Sequence, residues 1–176
     1  MTPEVVLEKS VSLSEREERL KDYLDFESLL NQFFESVGYC VEECISQEFS
    51  KYGHRMSHIP GFVACCIRDY SREYSETISE EDVELINKRR IEKYGFPEKN
   101  IIIYKEKPIC GYHTLDGCLL KDHKSSICAT FICNPLKDHL KEEFGIWYGA
   151  RLFRNHMEGL LSGDVTEERK ALLNGI

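Results

Sequence analysis

The sequence predicts a mainly α protein with a short β element, whose helices pack around a loop-rich, cysteine-ligated metal site. Three observations predict this fold class: long stretches with helical apolar spacing, one short β-branched segment, and eight cysteines in 176 residues. A chain of this length fits one domain. We therefore expect a flexible lead-in over residues 1–13 and a single cysteine-cluster metal-binding domain over residues 14–176.

The first predicted helix runs from about residue 14 to about residue 50. Apolar residues and cysteines recur along it at intervals of one helical turn: Phe26, Leu30, Phe33, Val37, Cys40 and Cys44. Gly38 lies inside this stripe and can kink or divide the helix. Helical geometry would place Cys40 and Cys44 on the same buried side.

A second helix is predicted over residues 80–94, after a loop at residues 51–64. Ser79 precedes this helix and Asp82 follows three residues later, which is an acidic variant of the capping box. Gly95 then ends the helix.

The second half of the chain predicts one strand, a loop-rich segment and a third helix. Residues 101–104 are short and β-branched, as in a strand, whereas residues 109–135 contain turn formers and four cysteines. The third helix is expected over residues 136–161, ending at Gly163. Its inward face is expected to include Leu140, Phe144, Trp147, Met157 and Leu161.

Charge and hydropathy exclude several classes of partner. The chain has 23 basic and 31 acidic residues, a net charge of −8, which disfavours nucleic acid and anionic membranes. No apolar run approaches the roughly 20 residues of a membrane span. Residues 1–16 are charged and lack the apolar stretch of a secretory signal. We therefore expect a cytoplasmic protein whose partner is an unknown protein or redox partner.

The cysteines are the strongest functional signal. They are Cys40, Cys44, Cys65, Cys66, Cys110, Cys118, Cys128 and Cys133. Cysteines can be ordinary core residues, and Cys40 and Cys44 fit that reading. Disulfides are disfavoured in a reducing compartment. Four thiols between Cys110 and Cys133, on predicted irregular backbone, instead favour a metal site, because thiolates select zinc, copper(I) or iron–sulfur clusters.

The spacing of the cysteines favours an iron–sulfur cluster over zinc. Structural zinc sites use closely spaced cysteine pairs, and only two spacings here come near that pattern. The adjacent pair Cys65 and Cys66 is awkward for one zinc ion, because neighbouring side chains diverge. A polynuclear cluster spreads its ligands over several metal atoms. We predict an iron–sulfur cluster, of the 4Fe–4S type that all-cysteine ligation suits, with zinc as the alternative.

The cysteine pattern also resembles the YkgJ-type cysteine-cluster family, whose members are described as zinc- or iron-chelating proteins. The resemblance lies in the segment from Cys110-Gly-Tyr-His to Cys118, the nine residues before Cys128, and Cys128-Ala-Thr-Phe-Ile-Cys133. Cys40-x3-Cys44 and Cys65-Cys66 resemble the family's opening, but 20 residues separate them here, where the family has two. Lys124-Ser125 stands where the family often has Arg-Pro. The resemblance implies a bound iron–sulfur cluster or zinc, without implying one reaction.

Other residues in the cysteine segment have secondary roles. His113 and His123 could ligate a metal or hydrogen-bond to a ligand sulfur, although a structural or solvated histidine is the commoner case. Phe131, between Cys128 and Cys133, is expected to shield the site from water.

Three functions remain open from the sequence. The first is an iron–sulfur protein with a redox, sensing or oxidoreductase-accessory role. The second is a zinc-stabilised protein-interaction module. The third is a thiol-redox enzyme, which ranks last because the chain has no C-x-x-C pair. The sequence identifies no catalytic residue and does not decide whether the protein is an enzyme.

Overall fold

The computed structural model describes residues 11–39, 73–97, 103–104, 107–108, 110–114 and 117–164, and this part of the chain is mainly helical, as predicted. Its helices are α1 (Leu13–Val37), α2 (Glu80–Tyr94), α3 (Ser126–Thr130), α4 (Asn134–Phe144) and α5 (Ala150–Ser162). No helix within these ranges has both the length and the hydropathy needed to cross a membrane. Predictions for residues 40–72, including the loop at 51–64, lie outside the described residues.

Two short antiparallel pairings accompany the helices. Strand β1 (Ile103–Tyr104) pairs with β2 (Lys107–Pro108), and β3 (His113–Thr114) pairs with β4 (Gly117–Cys118). Each pairing is two residues long, so the strands of the described residues form two separate two-stranded pairings.

Helix α1 begins with a side-chain cap and ends at a glycine. Ser12 Oγ accepts a hydrogen bond from the Glu15 N–H at 3.2 Å, which satisfies one of the donors left free at a helix N-terminus. Gly38 has φ +68°, and its N–H donates to the Phe34 carbonyl. Glycine adopts this left-handed backbone without steric strain. Helix α1 therefore ends at Val37, and the predicted continuation over residues 40–50 lies outside the described residues.

Helix α2 confirms its predicted bounds. Ser79 Oγ accepts a hydrogen bond from the Asp82 N–H at 3.2 Å, and Gly95 ends the helix. The Arg16 guanidinium donates to Asp82 Oδ1 at 2.6 Å and to Ser79 Oγ at 3.0 Å. The capping residues of α2 thus also attach this helix to α1.

The prediction of a single helix over residues 136–161 is wrong, because the chain turns at Gly145. This residue has φ +68°, and its N–H donates to the carbonyls at the end of α4. Residues 145–149 then connect α4 to α5. Phe144 and Trp147, which were expected to face inward, are 54% and 80% exposed. The apolar spacing simply continues across a left-handed glycine, which periodicity alone cannot detect.

The main core lies where α1, α2, α3 and α5 meet. Its buried members are Leu20, Tyr23, Phe26, Leu30, Ile78, Ile86, Ala129, Met157 and Leu161. A second apolar cluster forms against α4 from Ile132, Leu136 and Leu140. The segment 109–135, predicted to be loops and turns, contains helix α3 packed against this core. The prediction is therefore wrong for residues 126–130, where Ser125 caps a short helix.

Candidate functional site

Half of the predicted ligand set lies in the described part of the chain. Cys110, Cys118, Cys128 and Cys133 are described, and none of these four forms a disulfide. Cys40, Cys44, Cys65 and Cys66 lie outside the described residues. The described candidate ligands all belong to the second half of the cysteine pattern.

Cys110 and Cys118 belong to one small apolar cluster. Its buried members are Cys110, Tyr112 and Leu120, and the partly buried Cys118 and Tyr94 pack against them. The β3–β4 pairing, in which His113 is the register partner of Cys118, folds the chain back on itself. The Leu119 N–H also donates to the Tyr112 carbonyl at 2.8 Å. A short hairpin thus brings together two cysteines that are eight positions apart in the sequence.

The environment of the Cys118 sulfur opposes a bare thiolate. Burial raises the pKa of Cys118, because a charged sulfur is poorly solvated there, and the nearby Glu27 carboxylate raises this pKa further. Lys124 and a hydrogen bond from the Leu120 N–H act in the opposite direction. A cation bound at the sulfur would replace the proton and supply the missing positive charge.

Cys128 lies on α3, between the helices of the main core. Its N–H donates to Ser125 Oγ at 3.1 Å. Burial raises the pKa of Tyr23 and Tyr74, and the Cys128 thiolate would add a smaller effect in the same direction.

Cys133 occupies a different environment, at the start of α4. It is the N-cap residue, and its carbonyl accepts a hydrogen bond from the Lys137 N–H at 3.1 Å. It packs against the apolar cluster of α4, and Tyr39 packs against the same cluster. Tyr39 and Cys133 therefore contact one apolar cluster although they are far apart in the sequence.

The four described cysteines do not form a complete metal site among themselves. Within residues 11–39, 73–97 and the described part of 103–164, no group of three or more His, Cys, Asp or Glu side chains is arranged to hold a metal ion. The donor type fits a soft metal.

Phe131 and His123 are two further described residues of the cysteine segment. Phe131 is 46% exposed, and its expected role in shielding the site from water stays a prediction. His123 is buried, its Nδ1 lies 2.6 Å from Asp122 Oδ1, and its carbonyl accepts a hydrogen bond from Arg90 Nε at 2.5 Å. Its backbone φ of +60° is unusual for a residue other than glycine. These contacts give His123 a structural role in the loop.

A buried carboxylate beside the site was missed by the sequence analysis. Glu27 of α1 is 0% exposed; its Oε1 accepts the Lys124 N–H at 3.1 Å, and its Oε2 has no hydrogen-bond partner. Desolvation raises the pKa of Glu27 to about 7. The available signal was its position, one residue after Phe26 and three before Leu30, on the apolar side of a helix.

Comparison with known proteins identifies no relative: no family model, no curated protein and no solved structure matches this chain. The resemblance to the YkgJ-type family therefore depends on the cysteine spacing alone and stays a prediction.

Proposed function

We propose that this protein binds a metal centre through cysteine thiolates, and that the centre is an iron–sulfur cluster of the 4Fe–4S type with a redox, sensing or oxidoreductase-accessory role. The observation that carries this proposal is that Cys118, on a short hairpin, packs against the buried cluster that contains Cys110. The candidate ligands are Cys40, Cys44, Cys65, Cys66, Cys110, Cys118, Cys128 and Cys133. The YkgJ-type spacing of these cysteines supports the same proposal.

The surroundings of Cys118 suit a ligand sulfur. Hydrogen bonds to sulfur and exclusion of solvent are two of the means by which proteins adjust an iron–sulfur centre. The Leu120 N–H supplies such a hydrogen bond, and the side chains of Tyr112 and Leu120 supply an apolar wall. A bound cluster would supply one-electron transfer. The chain's own contribution is to orient the sulfurs and to limit their contact with water.

A thiol-redox enzyme is less well supported. Reactive cysteines generally have lowered pKa values and lie near positive charge. Burial instead raises the pKa of Cys118, and Glu27 adds to this effect. Thiols of this kind fit a reducing compartment such as the cytoplasm. There, a metal ion that binds the sulfur would replace its proton.

A zinc-stabilised interaction module is the second candidate function, because the turn after α4 exposes large apolar side chains. Phe144, Trp147 and Leu152 are 54%, 80% and 63% exposed, and Lys141 Nζ lies 4.6 Å from the centroid of the Trp147 ring. Exposed aromatic residues beside a cation are typical of protein-binding surfaces. In this reading, zinc holds the cysteine segment and an unknown protein binds the turn.

Anaerobic purification followed by metal analysis tests the proposed function. We expect a brown protein with visible charge-transfer absorption and several iron and sulfide per chain. Stoichiometric zinc in a colourless protein would overturn the iron–sulfur proposal in favour of the zinc module. A protein with neither metal would overturn both.

Two serine substitutions test the ligand assignment. Cys118→Ser and Cys128→Ser should each abolish most of the bound metal, since both remove a sulfur donor. Leu119→Ser is the matched control, because it introduces the same side chain at a half-exposed position beside Cys118. Full metal content in both cysteine variants would contradict the assignment.

A further inference from the structure

The loop that joins the Cys118 hairpin to α3 is held by side chains from two helices. It comprises residues 121–124, between Cys118 and Cys128. Six of its backbone N–H and C=O groups are hydrogen-bonded to side chains of α1 and α2. We call the five residues that supply these side chains the loop clamp. They are Tyr23, Glu27, Asn31, Arg90 and Tyr94.

Helix α1 supplies three clamp residues at intervals of four positions, which places them on one face of the helix. Tyr23 Oη donates to the Lys124 carbonyl at 2.7 Å. Glu27 Oε1 accepts the Lys124 N–H at 3.1 Å. Asn31 Nδ2 donates to the Lys121 carbonyl at 2.6 Å. Both backbone groups of Lys124 are thus fixed by adjacent turns of a single helix.

Helix α2 supplies the other two clamp residues, again one turn apart. Arg90 Nε donates to the His123 carbonyl at 2.5 Å. Tyr94 Oη accepts the N–H groups of Lys121 and Asp122, each at 3.1 Å, and donates to Asp122 Oδ1 at 2.8 Å. Side chains of both α1 and α2 therefore hold the loop by hydrogen bonds. His123, within this loop, has a left-handed backbone conformation.

The clamp differs from the local caps and turns in which side chains bond to nearby backbone groups. Its hydrogen bonds join residues that are 27 to 101 positions apart. The clamp also keeps the Glu27 carboxyl group buried, which disfavours its charged form. Strain and imperfect burial of this kind are commonly found beside functional sites.

We propose that the loop clamp fixes Cys118 and Cys128 relative to each other, so that these two ligands of the metal centre are preformed before the metal binds. The clamp residues are positioning residues, because their hydrogen bonds reach the loop and not the metal. This inference rests on the proposed function, because it assigns both cysteines to the same centre. The clamp accounts for the relative positions of Cys118 and Cys128, which the spacing of the cysteines in the sequence does not predict.

Tyrosine-to-phenylalanine substitutions test the clamp, with cobalt(II) as a spectroscopic probe of thiolate ligation in the metal-depleted full-length chain. Tyr23→Phe removes one hydrogen bond to the loop, and Tyr94→Phe removes three. Tyr148→Phe is the matched control, because Tyr148 Oη also donates to a backbone carbonyl, that of Thr130 at 3.2 Å, outside the loop. We expect the two clamp variants to bind cobalt at least about tenfold more weakly, as outer-sphere substitutions typically do, and Tyr148→Phe to bind as the wild type does.

Alkylation kinetics supply a second measurement that needs no metal. Iodoacetamide should modify Cys118 and Cys128 faster in Tyr94→Phe than in the wild type, while the rate at Cys133, at the start of α4, stays unchanged. Rates that rise equally at all three cysteines would indicate general destabilisation and overturn the clamp, as would unchanged rates together with unchanged cobalt affinity. A wild-type chain that binds no cobalt would contradict the proposed function instead, and the alkylation pattern would then decide on the clamp alone.

Discussion

The helical core and the cysteine segment of this protein are ordered by different interactions. The core between α1 and α5 buries apolar side chains such as Leu20, Met157 and Leu161 almost completely. The chain from Cys110 to Cys133 has smaller apolar clusters and a loop tied down by side chains of α1 and α2. The segment thus takes part of its order from side chains of α1 and α2.

This difference bears on how much of the order of the cysteine segment would depend on a bound metal. From the sequence we expected the segment 109–135 to depend on metal, because it has few large apolar residues to offset its ordering entropy. The structure shows a second source of order in the loop clamp. Damage to the core should therefore weaken both regions, whereas loss of the clamp or the metal should weaken the cysteine segment alone.

The largest expected effect is a truncation in the core. Leu161→Ala removes a side chain that is 1% exposed on α5 and should lower the free energy of unfolding by roughly 4 kcal/mol. Leu152→Ala is the matched control on the same helix, because Leu152 is 63% exposed. Urea unfolding measures both variants. Equal, small effects would show that the α1–α5 contact does not hold the fold together.

A smaller effect, of opposite sign, is expected at Glu27, where the two regions meet. Burial raises the pKa of this carboxyl from 4.5 to about 7. The unfolded chain releases this proton near pH 4.5, so the associated stability is complete below that pH and is lost as the pH rises to about 7. Glu27→Gln keeps an acceptor for the Lys124 N–H and cannot ionise.

Urea unfolding from pH 4 to 8 should therefore show that Glu27→Gln is more stable than the wild type at pH 8, by up to roughly 3 kcal/mol. The difference should shrink as the pH falls toward 4. Glu35→Gln removes an exposed carboxylate from the same helix and serves as the control. A stability difference for Glu27→Gln that does not change with pH would mean that the Glu27 carboxyl is not desolvated as described.

The smallest effect compares two helix ends. Gly145 and Gly163 both have left-handed backbones, with φ of +68° and +78°. A Cβ at Gly145 would meet nothing within 4 Å, whereas one at Gly163 would lie 2.5 Å from the Arg19 guanidinium carbon. Gly145→Ala should therefore cost about 1 kcal/mol from backbone strain alone.

Gly163→Ala should cost about 1 kcal/mol more, since the displaced Arg19 loses its hydrogen bond to the Ser162 carbonyl. Thermal unfolding of the two variants measures this difference. Equal losses of stability would show that Arg19 does not link the end of α5 to α1.

The bounds of α2 were predicted correctly because they depend on signals that lie close together in the sequence. Helix α2 has its cap at Ser79 and its terminating glycine at Gly95, both within a turn of its ends, so short-range chemistry determines its bounds. Gly145 shows the opposite case. Apolar residues continue at helical spacing from Leu140 through Trp147. The left-handed conformation of Gly145 ends the helix, and Trp147 is therefore exposed to solvent.

The candidate site was predictable only in its donor atoms. Cysteine spacing identified Cys110 and Cys118, which the structure brings into one cluster. It could not identify Tyr23 or Glu27, because their partners at Lys124 lie about 100 positions away in the sequence. Long-range hydrogen bonds to backbone groups leave no local pattern, so such residues look like ordinary positions on a helix.

Hydrogen–deuterium exchange before and after metal removal tests the central claim most directly, that a cysteine-bound metal holds a segment which the helical core does not need. The anaerobically purified protein would be compared with the same protein after treatment with a chelator. We expect faster exchange at residues 110–114 and 126–133, with α1 and α5 protected as before. Proteases should then cleave first within residues 109–135 or in the segment 51–64. Unchanged exchange throughout, or equal loss of protection in all helices, would contradict the account.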